Sequence, residues 1–170
     1  MRAGACKIPI DFYLCNWGTG RTDHPINCVD AAGAEDFCRW VGGRLPTAME
    51  REYAAGGGAE ARKYPWGSEE PGARVCWNRK KRDAQGDETG TCSVDSHPAS
   101  VSKWGAYDLA GNVREWTSTV LGAYGSRDLR GGAWNVHLAF ELEPSRGGST
   151  ARQNVAADLG FRCALAGVGE

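Results

Sequence analysis

The sequence predicts a single α+β domain with two helices, short strands and little other regular secondary structure. The chain has 170 residues, 41% of them hydrophobic, which is enough to bury the core of one domain. Glycine (24 residues) and tryptophan (7) are frequent, whereas only 2 residues are methionine. Because glycine permits tight turns and tryptophan buries a large area per residue, this composition favours long loops held by aromatic anchors over a helical bundle.

Two helices are predicted in the first third of the chain. Asp30 can cap the first, which ends at a Gly-Gly pair. The second begins after Thr47, where Glu50 completes a T-x-x-E capping box, and it ends in a run of three glycines. Apolar residues recur in the first helix at i, i+3, i+4 and i+7, which predicts a buried face formed by Ala34, Phe37, Cys38 and Val41.

The rest of the chain predicts short strands joined by loops, because Gly, Pro, Asp and Ser interrupt it every few residues. Strands are expected at Val113–Thr117, Asp128–Arg130 and Gly160–Leu165. The polar, charged segment 78–90 is expected to be a solvated loop. No internal repeat or linker divides the chain, so we expect one domain over residues 1–170.

Charge and hydropathy argue against two classes of partner. The 20 basic and 21 acidic residues are mixed along the chain and give a net charge of −1, whereas a nucleic-acid surface needs a basic stripe. No apolar run approaches the ~20 residues that span a bilayer. The first six residues lack the hydrophobic segment of a signal peptide. We therefore expect neither nucleic-acid binding nor a membrane span.

The cysteines predict disulfides and not a zinc site. None of the 7 cysteines forms a C-x-x-C pair and the 3 histidines are scattered, so the spacing typical of structural zinc is missing. Disulfides indicate an oxidising, extracytoplasmic compartment. Cys76 and Cys92 flank the polar loop and are expected to pair across its base. Because the count is odd, one cysteine is free or its partner lies outside the chain.

Five phrases between residues 25 and 165 carry a family resemblance. They are Gly43–Thr47 leading to Glu52–Ala55, Tyr64–Gly67, Tyr107–Val113 before Glu115–Thr117, Leu129–Trp134 and Leu159–Ala164. In order and spacing they resemble the formylglycine-generating enzyme (sulfatase-modifying factor) family. One such phrase is a weak signal, but five in sequence are a strong one. The resemblance implies a C-type-lectin-like α+β fold with short antiparallel strands.

The sequence departs from the family pattern in three places. Family members usually begin with tens of residues of strands before the point where Met1 falls, so we expect the chain to be truncated at its N terminus. The helix phrase carries Arg51, and the Gly-Asn phrase carries Arg114, where the family usually has tryptophan. These single substitutions leave the predicted fold unchanged.

The resemblance also implies one disulfide. In the family a helix cysteine is bonded to the cysteine of the final Gly-Phe-Arg-Cys strand, and the matching positions here are Cys38 and Cys163. The pairing of Cys6, Cys15 and Cys28 stays open, with a preference for Cys6–Cys15.

The catalytic members of the family use two thiols that bind copper(I), and this chain lacks both. The thiols stand five residues apart after the Gly-Gly phrase, where this chain has Val136 and Glu141; it has no cysteine between Cys92 and Cys163. Soft thiolates select Cu(I) over harder ions, and neither valine nor a carboxylate replaces them. We therefore expect no catalytic residue, no copper and no formylglycine generation by the family mechanism.

Other polar residues do not supply a replacement. Ser145, Ser149 and His137 lie in the same segment, but no G-x-S-x-G or comparable signature accompanies them. The related iron-dependent sulfoxide synthases take metal-binding histidines from a further helical domain, which this sequence does not contain. His24 and His97 are isolated, so all three histidines are expected to be ordinary surface residues.

A structural calcium site is implied by the resemblance. Its ligands would be the side chains of Asp108 and Glu115 and the carbonyls of Gly111 and Val113, all of them oxygen donors as a hard cation requires. Asp108 replaces a family asparagine and adds a negative charge. The alternative is a capping aspartate and a strand glutamate bonded to backbone or arginine. A second family calcium site is expected to be lost, because Cys76 stands at a ligand position.

The function that we expect is recognition without catalysis, of an unknown protein, peptide or small ligand. In the family, the face built by residues 134–158 forms the substrate groove, and Trp134, Arg146 and Arg152 are the candidate contacts; alternatively, the tryptophan is core and the arginines form structural ion pairs. Two other functions remain open. One is an enzyme of the family with altered oxidative chemistry. The other is a retroelement-diversified variable protein, whose variable segments are rich in Asn and Tyr, unlike residues 135–158.

Overall fold

The structure is a computed structural model that describes residues 14–78, 90–122 and 125–165. Both predicted helices are present, as α1 (Ala31–Trp40) and α2 (Ala48–Ala55). The caps form as the sequence indicates: an oxygen of Asp30 accepts from the first turn of α1, and Thr47 and Glu50 exchange side-chain and backbone hydrogen bonds at α2.

The predicted buried face of α1 is only partly correct. Cys38 is buried, together with Ala31 and Ala34, but Phe37 and Val41 are almost half exposed. The reason is local packing, since the ring of Phe37 lies at the surface against those of its aromatic neighbours Trp40 and Phe161, with centroids 5.7 Å and 5.5 Å away. The helix therefore contacts the core through its smallest residues, which allows close approach to the sheet.

The described residues contain six strands, which form two sheets. The four-stranded sheet has the order β4-β3-β2-β5, in which only the β2–β5 pair is parallel, and β1 and β6 form a separate antiparallel pair. Two predicted strands are confirmed as β2 and β3, with longer bounds than expected. The strands are β1 (Gly43–Arg44), β2 (Arg114–Leu121), β3 (Ser126–Arg130), β4 (Gly147–Thr150), β5 (Leu159–Gly160) and β6 (Ala164–Leu165).

The predicted strand Gly160–Leu165 is wrong as a single element. It is divided between β5, which pairs with β2, and β6, which pairs with β1. The intervening residues have other partners, because Arg162 bonds to Glu115 and Cys163 is bonded to Cys38. Between the two sheets, the chain is held by the Arg162–Glu115 ion pair and by the Cys38–Cys163 disulfide.

A buried tryptophan joins α1 to the four-stranded sheet. Trp116 on β2 is fully buried, and its indole N–H donates to the carbonyl of Val29 just before the helix, at 2.8 Å. A buried indole needs such a partner. Its apolar cluster also contains Ala31, Ala34, Cys38, Leu45, Leu129 and Leu159. Among the described residues, no helix is long and apolar enough to cross a membrane.

Three disulfides are present in the described residues. The predicted pairs Cys38–Cys163 and Cys76–Cys92 are confirmed. The preference for Cys6–Cys15 is wrong, because Cys15 is bonded to Cys28; Cys6 and most of the predicted polar loop lie outside the described residues.

The side chain of Asn27 explains the pairing of Cys15 with Cys28. Its amide donates to the carbonyl of Leu14 at 2.8 Å and accepts from the backbone N–H of Asn16 at 2.7 Å. These two hydrogen bonds flank Cys15 and hold it beside Cys28, the next residue after Asn27. The two segments that the disulfide joins are therefore also linked by a buried amide.

Candidate functional site

The turn before β2 is anchored to the Cys76–Cys92 disulfide. Gly111 has a positive φ of 78°, and a Cβ at this position would lie 2.5 Å from the carbonyl oxygen of Cys76, so only glycine fits. The buried side chain of Asn112 accepts from the N–H of Cys92 at 3.1 Å and donates to its carbonyl at 3.2 Å. This turn carries the residues expected to bind calcium.

Asp108 carries a buried carboxylate at the start of this turn. Its side chain is buried, and one carboxylate oxygen accepts from the N–H of Asp95 at 3.4 Å. The other oxygen, Oδ1, is buried and has no hydrogen-bond partner among the described residues. Burial raises the pKa of the Asp108 carboxyl, and the nearby groups of Asp95, Asn112 and Arg162 offset this effect only in part. A cavity of about 420 Å³ beside it is lined in part by Val113 and Glu115.

Glu115 is held by two arginines. Arg51 Nε donates to Glu115 Oε2 at 2.5 Å, and Arg162 Nε lies 2.8 Å from both carboxylate oxygens. Glu115 and Arg51 are 3% and 2% exposed, so this is a buried ion pair. Burial opposes ionisation of Glu115, but the charges of Arg162 and Arg51 outweigh it and hold the pKa of the carboxyl below its usual range.

The same two guanidinium groups also bind the turn itself. Arg51 Nη2 donates to the carbonyl of Leu109 at 2.9 Å. Arg162 Nη2 donates to the carbonyls of Tyr107 and Asp108 at 3.1 Å and 3.2 Å. The arginines thus join helix α2, the turn, strand β2 and the segment between β5 and β6 around one carboxylate.

These contacts divide the expected calcium ligands into two groups. Asp108 fits a cation, because a buried carboxylate oxygen without a partner is costly unless it binds one. Glu115 does not fit, because both of its oxygens already accept from positively charged groups. The alternative in which this glutamate bonds to arginine is therefore the one that applies. Among the described residues, no three His, Cys, Asp or Glu side chains are grouped in a way that could hold a metal ion.

The two positions of the family thiols meet in one cavity. Val136 and Glu141 both line a space of about 230 Å³ beside β3 and β4. Val136 is buried in an apolar cluster, and a carboxylate oxygen of Glu141 accepts from the N–H of Leu138 at 3.3 Å. The other lining residues are Arg114, Leu129, Arg130, Gly132, Phe140, Arg146, Gly147 and Gly148.

The three predicted ligand contacts have different environments. Trp134 is 1% exposed and its indole N–H donates to the carbonyl of Ala157, so it is a core residue and we correct that prediction. Arg146 lines the cavity, with its guanidinium 5.4 Å from the ring centre of Phe140. Arg152 is exposed and is not part of the cavity wall.

Sequence reasoning missed the roles of Arg51 and Arg114. The first is a buried charge, and the second is a cavity wall residue that lies 3.3 Å from Asp158. The sequence did contain a signal for these roles, because both arginines stand where the family usually has tryptophan. Replacing an indole by a guanidinium brings a charge into the fold, and a buried or partly buried charge needs a partner.

Comparison with known proteins finds a matching family and several relatives. The family model of the sulfatase-modifying factor enzyme 1-like domain matches residues 15–166. The chain is 37% identical to inactive C-alpha-formylglycine-generating enzyme 2 of Mus musculus, over 92% of this chain and 56% of that protein. It is 33% identical to the formylglycine-generating enzyme of Streptomyces coelicolor, over 86% and 54%. The chain thus spans about half the length of the curated relatives that it matches.

A solved structure of low sequence identity supports the fold alone. Treponema denticola variable protein 1 matches with a TM-score of 0.69 and 20% identity, over 85% of this chain and 72% of that one. The predicted C-type-lectin-like α+β fold is confirmed. Since the family model covers almost the whole chain and the five phrases fall within it, this protein belongs to the sulfatase-modifying factor enzyme 1-like domain family.

Proposed function

We propose that this domain is a non-catalytic binding module of the family. The observation that carries the proposal is the cavity lined by Val136 and Glu141, the two residues that the family resemblance places at the thiol positions. A buried aliphatic side chain and a carboxylate cannot provide a soft two-thiolate copper site. Relatives at similar identity include proteins named as inactive, which fits the loss of the thiols.

The proposed compartment is extracytoplasmic. All six cysteines in the described part of the chain are in disulfides, and such bonds persist in oxidising environments and are rare in the cytosol. A binding module in this compartment would meet a protein, peptide or small ligand outside the cytoplasm.

Copper(I) binding tests the proposal. With Cys6 replaced by serine, and with the disulfides oxidised, the protein is expected to retain no Cu(I) in competition with a chromophoric Cu(I) chelator. The variant that also carries Val136→Cys and Glu141→Cys is the positive control, because both positions line the same cavity. Retention of one copper ion by the Cys6→Ser protein without these two thiols would overturn the proposal.

We also propose that calcium binds beside Asp108, through Oδ1 and the carbonyls of Gly111 and Val113, while Glu115 remains paired with its arginines. Waters would complete the 6–8 oxygens that calcium takes, so a moderate affinity is expected. The support is the buried carboxylate oxygen without a partner. The arginine charges nearby also limit the affinity, which suits the millimolar calcium outside cells.

The calcium proposal predicts a thermal shift. Excess calcium should stabilise the wild type relative to chelator by about 2.7 kcal/mol when its concentration is a hundred times Kd. Asp108→Ala should abolish this shift and leave the metal-free protein folded. The control is Asp36→Ala, which removes an exposed carboxylate from helix α1 and should keep the full shift. Equal shifts in wild type and Asp108→Ala would show that the ion is not held here.

A further inference from the structure

The cavity that Val136 and Glu141 line carries more positive than negative side chains in its wall. Three arginines and one glutamate line it. Arg130 is held by three contacts, because it donates to Asp128 at 2.8 Å, to the carbonyl of Ser145 at 2.9 Å and to Glu52 at 3.2 Å. It is also largely buried, so we assign it to the scaffold.

The other two arginines keep unused donors. Arg114 Nη2 lies 3.3 Å from Asp158, and Arg146 Nε lies 3.6 Å from Glu143. A guanidinium has five N–H donors, so one such contact leaves most of them available. The Arg146 side chain is 58% exposed, and such a pair contributes little to stability, so a ligand anion can compete for this guanidinium at small cost. Arg114 keeps its contact with Asp158, which is only 16% exposed, and offers its remaining donors.

The remaining wall is apolar and open. Leu129 and Val136 are buried beneath the cavity, and the ring of Phe140 is 48% exposed at its side. Gly148 contributes no side chain, and an added Cβ there would meet no atom within 4 Å. The volume of about 230 Å³ is below the 300–1,000 Å³ of drug-sized pockets. The cavity therefore suits a ligand about the size of one amino-acid residue.

We infer that this cavity binds a small carboxylate with an apolar body, held by Arg114 and Arg146 and packed against Phe140. The planar guanidinium fork matches a carboxylate in a bidentate manner. This inference rests on the proposed binding function and names its ligand class. The carboxylate can belong to a free small acid or to the C-terminal residue of a peptide, since both present the same group.

Titration followed by NMR chemical shifts tests the inference. N-acetyl-L-leucine should bind at about millimolar concentration, whereas N-acetyl-L-leucinamide should not. Arg114→Gln and Arg146→Gln should each weaken binding about tenfold or more. Arg39→Gln is the matched control, because Arg39 forms an exposed i,i+3 pair with Asp36 as Arg146 does with Glu143. It should change nothing.

Two further arms complete the test. Gly148→Trp adds bulk at the cavity wall, at a position where an added Cβ meets no atom within 4 Å, and should abolish binding while leaving the charges in place. Leucine-terminated peptides with a free or amidated C terminus distinguish the two sources of the carboxylate. The inference is overturned if the acid does not bind at about 20 mM, if the amide or inorganic phosphate binds equally well, or if Arg39→Gln has the same effect. If the titration shows no carboxylate binding, the result expected in the copper(I) competition does not change. Failure of this inference can therefore be distinguished from failure of the proposed function.

Discussion

Replacing Arg51 by methionine is expected to lower the free energy of unfolding by about 3–5 kcal/mol. The substitution keeps most of the side-chain volume but removes one of the two guanidiniums that neutralise Glu115, a carboxylate only 3% exposed. It also leaves the carbonyl of Leu109 without the donor at 2.9 Å. Urea unfolding of the oxidised protein measures the loss.

Arg44→Met is the control for this experiment. Arg44 also pairs with a glutamate, Glu50, but both side chains are about half exposed. Such a pair contributes about 0–1 kcal/mol. If the two variants lose the same stability, burial of the Arg51–Glu115 pair has no energetic consequence and the description of this cluster is wrong.

Removing the Cys38–Cys163 disulfide is expected to cost on the order of 4–5 kcal/mol in the chain-entropy model. The bond spans 125 residues and joins α1 to the segment between β5 and β6. Replacing both cysteines by alanine frees the unfolded chain and also removes a cluster member, because Cys38 is fully buried. Thermal or urea unfolding under oxidising conditions measures the effect.

The Cys76–Cys92 pair supplies the comparison. It spans 16 residues, for which the same model gives about 3 kcal/mol. The double alanine variant at these positions should therefore lose less stability than the Cys38–Cys163 variant. The opposite order would show that loop length does not govern these bonds. Non-reducing peptide mapping that finds Cys38 or Cys163 as a free thiol would contradict the pairing itself.

Features encoded by neighbouring residues were predictable from the sequence. The capping aspartate and the T-x-x-E box each act within one helical turn, so Asp30, Thr47 and Glu50 located the two helix starts. Strand β4 was not predicted, because Gly147 and Gly148 lack apolar alternation and the strand exists through its pairing with β3. Long-range pairing leaves no local pattern to detect.

In the candidate site, too, local features could be predicted from the sequence and long-range contacts could not. The resemblance pointed to the turn expected to bind calcium and to the thiol positions, but it could not show that Arg51, 64 residues from Glu115 in sequence, would pair with that carboxylate. Trp134 gave a misleading signal, since a tryptophan beside a groove can equally be core, and packing decides between the two. The Cys15–Cys28 bond depends on the amide of Asn27, which has no cysteine-spacing signature.

Incubation with a sulfatase-motif peptide and Cu(I) tests most directly whether this domain lacks the formylglycine-generating activity of the family. The formylglycine-generating enzyme of Streptomyces coelicolor serves as the positive control for the assay. Mass spectrometry should find the cysteine peptide unchanged after incubation with this protein, because Val136 and Glu141 replace the thiols. A mass loss that matches conversion of the cysteine to an aldehyde, present with copper and absent without it, would contradict the assignment as a non-catalytic module.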